Sequence, residues 1–182
     1  GTEQGISNWI SQFLSTYHGV DPQTIGADTI AYFWGLMTAG GILGLILLKI
    51  LDSRIVLVTF SFLAIASLAA ALFGTKAMTL ISFPLLGLFL SVMFPIIFSL
   101  ALNSFKENHG SFSGILVTGI VGGAILPFII GGIGDYLGLK AGMCVLFITL
   151  LYIFSIGFWT FSLVNDSITI FHFFEELFNL IN

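Results

Sequence analysis

The opening stretch GTEQGISNWISQFLSTY carries the side chains with the most chemistry in this sequence. Gln4, Asn8, Ser11 and Ser15 recur at helical spacing on one face, with Glu3 and Ser7 beside them. Ile6, Trp9, Ile10, Phe13 and Leu14 fill the rest of the turn. A row of amides and hydroxyls offers donors and acceptors together, which suits a polyhydroxylated solute, and Trp9 can stack on the apolar face of such a ring. Glu3 is the one carboxylate set on a helix face away from any loop, so it is a candidate for carrying a proton. Three plainer readings stand beside these: an amphipathic surface helix, a helix joined to its neighbours by amide hydrogen bonds, and Trp9 as packing.

The elements that position this stripe follow from the charges. The chain has five Lys and Arg and nine Asp and Glu, 8% charged against 57% hydrophobic residues. A typical soluble domain has roughly 25% charged residues. The charge-free runs are 4–20, 29–48, 55–75, 77–105, 108–134 and 141–165. About 20 apolar residues of helix cross a hydrocarbon core of roughly 30 Å, and a charge at its centre costs about 2.5 kcal/mol or more. The pattern predicts an all-α membrane protein with six transmembrane helices near 1–17, 28–49, 55–73, 77–104, 111–134 and 140–164. Short connections with Gly, Pro and Asp make successive helices antiparallel. Polar side chains inside a bilayer must face protein or water, so the first helix is expected to line a hydrated cavity. Lys49, Arg54 and Lys106 fall on one side and Lys76 and Lys140 on the other; the positive-inside rule then puts both termini in the cytoplasm.

Helices two and five echo one another. AGGILGLILLKILDSR carries Gly40, Gly41 and Asp52, and VGGAILPFIIGGIGDYLG carries Gly122, Gly123 and Asp135. Three spans per repeat would invert the second against the first, giving two inverted three-helix repeats, an arrangement of secondary transporters; generic glycine packing is the alternative. Pro84, Pro95 and Pro127 lie in the fourth and fifth helices. Proline frees a backbone carbonyl and glycine removes steric locks, so Pro95, Gly122, Gly123 and Pro127 are candidate hinges, static kinks being the other reading. Further polar or aromatic groups on helices near the expected cavity are Trp34, Phe94, Asn103 and Thr118.

Other functions find little support. There is no HExxH or GxSxG, His18, His109 and His172 fall in loops or the tail, and GSFSG at 110–114 has Phe112 where a nucleophilic serine would stand. No enzyme activity, metal or cofactor is expected. A net charge of −4 offers no basic patch for nucleic acid. Cys144 lies in an apolar run and reads as a small buried hydrophobe.

The stretches GTEQGISNWISQFL, SVMFPIIFSLALNSF and GGAILPFIIGGIGDYLG resemble the seventh, tenth and eleventh transmembrane helices of the fucose/glucose/galactose proton symporter family of the major facilitator superfamily. The resemblance covers nearly the whole chain and implies the C-terminal half of a twelve-helix transporter. It further implies a monosaccharide site at the midplane between two six-helix bundles, hexose uptake coupled to proton entry by alternating access, and a place in the cell inner membrane. Gln4, Asn8, Trp9, Trp34, Phe94, Asn103 and Thr118 are then substrate-binding candidates, and Glu3 a proton-coupling one. The acids that couple protons in the family belong to the N-terminal half, which is the implied partner.

After Asn165, Ile170, Phe173, Phe174, Leu177, Phe178 and Ile181 form one helical stripe, which predicts an amphipathic cytoplasmic tail over 165–182, docked on protein or membrane. A six-helix module that self-associates, without transport or as a pore, is the alternative to half a transporter.

Overall fold

The computed structural model describes residues 1–103, 114 and 117–159; the Lys106 loop and the tail stripe lie outside them. The described residues are helical throughout, joined by short turns.

Helix starts are set by polar caps. The Asp21 carboxylate accepts from Gln23 N at 3.0 Å and Thr24 Oγ1 at 2.9 Å, opening a π-helical turn, Pro22–Gly26, that runs into α3 (Ala27–Leu47). Asp52 caps α4 (Ser53–Phe73) through Arg54 N at 2.8 Å, and Thr75 stands at the start of α5 (Lys76–Leu90). Gly19, at φ 60°, ends the first span in the left-handed region that glycine occupies without strain. Gly138, at φ 89°, is the single link between α7 (Gly122–Leu137) and α8 (Leu139–Trp159).

Two spans read as continuous from sequence are interrupted. The first divides into α1 (Thr2–Ser7) and α2 (Ile10–His18). The fourth turns at Ser91 and Val92 between α5 and α6 (Met93–Asn103). The second break lies where Pro95 dictates: its ring nitrogen has no hydrogen to offer the Ser91 carbonyl four residues back. Pro84 and Pro127 sit inside α5 and α7, which run on past them.

Packing joins α3 to α5, α4 to α5 and α8, α7 to α8, and α1 to α7. Phe13, Phe33, Leu57, Leu68, Phe83, Leu86 and Leu146 are fully buried between them, and Phe13 meets Phe83 edge-on at 5.6 Å. The α3–α5 contact is backbone-close: the missing side chain of Gly87 leaves room for the Phe33 carbonyl, and Gly40 lies on Leu88 and Ser91. Small residues at crossings are how membrane helices gain dispersion contact where lipid supplies no hydrophobic drive.

Among the described residues, five helical stretches are long and apolar enough to cross a membrane: Pro22–Leu47, Ser53–Phe73, Lys76–Ala101, Gly119–Leu137 and Leu139–Phe158. Apolar side chains cover the outside as well as the core. Ile42, Leu45 and Ile46 of α3 and Ile125, Phe128 and Tyr136 of α7 are exposed, Phe128 by 83%. In water such a surface would aggregate; lipid or a second apolar bundle covers it without cost. The protein is a multi-pass helical membrane bundle.

Candidate functional site

The break in the first span is a local competition for one carbonyl. Asn8 Nδ2 donates to Gln4 O at 2.9 Å while Asn8 N donates to the same oxygen at 3.1 Å. Trp9 N closes a tighter turn onto Ile6 O at 3.0 Å. Short amide side chains that bond nearby backbone offer the chain an alternative to a regular helix. A discontinuous helix is where a membrane bundle presents backbone and amide groups to a cavity.

Trp9 fastens this break to α7. Its indole N–H donates to Pro127 O at 3.0 Å, and its ring packs against Gly131, where an added Cβ would stand 2.8 Å from Cζ2. Gly123 faces the Gln4 side chain, and Gly122 faces Gly1. The glycine–proline stretch is thus the close-approach surface for the first span. Ser7 and Gly5 are buried, Glu3 is half-buried, and Gln4 and Asn8 are exposed on the side away from the core. Thr2 Oγ1 donates to Thr149 Oγ1 at 3.1 Å, which ties α1 to α8 beside Glu3.

The structure therefore brings together Glu3, Gln4, Asn8, Trp9, Gly122, Gly123 and Pro127. Trp34 stands on α3, partly exposed and edge-on to Phe33 at 5.4 Å; Phe94 stands on α6, half-exposed and 5.8 Å from Phe98. Thr118 is exposed just before a 3₁₀ turn, Gly119–Val121, that opens α7, and Asn103 ends α6. Pro95 lies in the first turn of α6.

Sequence reading passed over a second group. Trp9, Gln12, Thr16 and Tyr17 line a cavity of about 280 Å³ with Gly131 and Asp135 of α7. Its signal was present: positions 9, 12 and 16 share a helix face.

At this end Tyr17 Oη accepts from Lys140 N at 3.0 Å, and Lys140 Nζ sits 5.0 Å from the Tyr17 ring centroid and 5.6 Å from that of Phe73. His18 closes α2. Thr79 Oγ1 spends its hydrogen on Ala71 O at 3.0 Å, so His18 Nε2 is the donor in the 3.1 Å contact between them. Burial, then Lys140 and Lys76, hold the imidazole below its ordinary 6.5. As pH falls below 6.5 the unfolded chain takes up a proton that the folded chain resists, so stability is full above that value and declines beneath it. Thermal unfolding in detergent at pH 5 and pH 7.5 is expected to show this difference, and His18→Gln to diminish it.

The site is thus a broken polar helix held against a glycine–proline helix inside an apolar membrane bundle. Comparison with known proteins gives the family. The chain is 36% identical over 155 residues to proteins named glucose/galactose transporter from two strains of Brucella abortus; the match covers 84% of this chain and 37% of each relative. It is 30% identical over 137 residues to a Helicobacter pylori protein whose name gives the same two sugars, covering 75% of this chain and 33% of that one. The chain belongs to the family of these transporters, in agreement with the resemblance of its three motifs to the fucose/glucose/galactose proton symporters. It spans little more than a third of their length. The relatives are transporters and not enzymes, as expected from a sequence without catalytic motifs. No family model and no solved structure matches the chain.

Proposed function

We propose that this chain is the C-terminal half of a proton-coupled secondary transporter that takes up a hexose such as fucose, glucose or galactose by alternating access. The observation that carries the reading is the broken first span, with Gln4 and Asn8 exposed on the side away from the core and Trp9 fastened to α7, in a relative of glucose/galactose transporters. The amides exchange hydrogen bonds with sugar hydroxyls and the indole packs a ring face. Trp34, Phe94, Asn103 and Thr118 complete the site from the other helices, and Glu3 is the proton carrier on this side. Partial burial suits that role because it lets a carboxylate exchange its proton as water access alternates.

The N-terminal half is the partner that covers the exposed faces of α3 and α7, and nearly two thirds of each relative lies beyond the match. Bending at Pro95 and at Gly122, Gly123 and Pro127 lets one bundle rock against the other, and two inverted three-helix repeats supply the symmetry for equivalent inward and outward states. The Lys49–Arg54 turn faces the cytoplasm of an inner membrane, as do both termini.

In vesicles carrying the full-length protein, Gln4→Ala and Asn8→Ala are each expected to raise the half-saturation for labelled glucose or galactose about tenfold at unchanged abundance. Uptake that is unchanged in both variants would remove the first span from the site. A flux that does not saturate would favour a pore.

A further inference from the structure

The cavity at the Lys76 and Lys140 end of the bundle has a build of its own. Trp9 is part of its lining, and the indole is fixed there: the N–H is engaged by Pro127 O and the six-membered ring packs against Gly131. Gln12 and Thr16 stand along one wall, joined by a 3.4 Å contact from Gln12 Nε2 to Thr16 Oγ1. Tyr17 is held in place by the Lys140 amide, and Asp135, in the last turn of α7, is part of the same lining. The Asp135 carboxylate has no hydrogen-bond or ion-pair partner among the described residues.

We propose that this cavity is a second, peripheral subsite for a pyranose, sharing the Trp9 indole with the Gln4 and Asn8 site and visited on the way to it. A rigid aromatic platform takes the apolar face of the ring, a carboxylate accepts from adjacent hydroxyls, and an amide answers a third. A volume of about 280 Å³ sits at the small end of ligand cavities, as a single sugar ring requires. The glycines are part of the design, because a side chain at Gly131 would displace the indole. The inference rests on the proposed function, and under its orientation the subsite opens to the outside, opposite the Lys49–Arg54 turn.

The test separates direction of transport. Full-length protein is reconstituted in vesicles, and half-saturation for labelled glucose and galactose is measured for influx and for efflux, in wild type, Asp135→Asn and Gln12→Ala, with abundance checked by immunoblot. The expected result is about a tenfold rise for influx with efflux unchanged. Equal losses in both directions, or a fall in abundance in both variants, would mean that the residues only hold the bundle together. Influx kinetics identical to wild type in both variants would also overturn the subsite while leaving the transporter reading intact. Wild-type protein that moves neither sugar would overturn both.

Discussion

Gly87→Ala is expected to lower the midpoint of thermal unfolding in detergent by roughly 5–10 °C, although it adds one methyl group. The new Cβ would collide with the backbone carbonyl of Phe33, which cannot rotate away as a flexible side chain would, so α3 and α5 must separate. Overpacking of this kind costs about 1–3 kcal/mol, and a bundle of this size loses roughly 2–4 °C per kcal/mol. Gly41→Ala is the informative comparison. Gly41 has nothing within 4 Å of its added Cβ, so the same change there is expected to leave the midpoint unchanged or raise it through better helix propensity. Equal midpoints for the two variants would show that the α3–α5 crossing is not the tight contact described.

Trp9→Ala is expected to be the most damaging single change to transport, with uptake falling well over tenfold. It removes the aromatic lining contributed by Trp9 to the peripheral cavity, the hydrogen bond to Pro127 O and the staple holding the broken span to α7. Trp9→Phe separates these contributions. It keeps a smaller aromatic face but loses both the N–H bond, worth about 1 kcal/mol, and part of the ring that packs against Gly131, so a loss intermediate between wild type and Trp9→Ala is expected. Gly131→Leu should reproduce the Trp9→Ala defect without touching Trp9, since its side chain would occupy the space of the indole. Normal uptake by Gly131→Leu would mean that the position of the indole is immaterial.

What the sequence made legible, and what it did not, divides along the range of the forces involved. Bilayer crossing is a property of each run of residues separately, so the spacing of charges revealed the helices, and Asp21, Asp52, Gly19 and Gly138 marked ends by chemistry confined to a few positions. The polar stripe from Gln4 to Ser15 was equally local. The break at Asn8 and Trp9 was not, because a lone amide in a helix does not announce that its own side chain will compete for the Gln4 carbonyl. Pro95 marked a place where the fourth helix could bend or kink, and the turn falls at Ser91 and Val92, where the missing hydrogen bond is felt. Gly122 and Gly123 read in the sequence as candidate hinges, and the structure shows them admitting the first span to contact with α7. The pairing of Trp9 with Pro127 and the meeting of Asp135 and Gln12 in one cavity lining join residues more than a hundred positions apart, and only the folded chain reveals them.

The central claim, that this chain is half of a proton-driven hexose transporter, is tested most directly by uptake of labelled glucose and galactose into vesicles bearing the full-length protein, with an inward proton gradient imposed and then dissipated by a protonophore. The account predicts saturable accumulation of at least one of the two sugars above its outside concentration, lost when the protonophore is added and competed by the unlabelled sugar. Vesicles that accumulate neither sugar, or that pass them without saturation and regardless of the gradient, would contradict it.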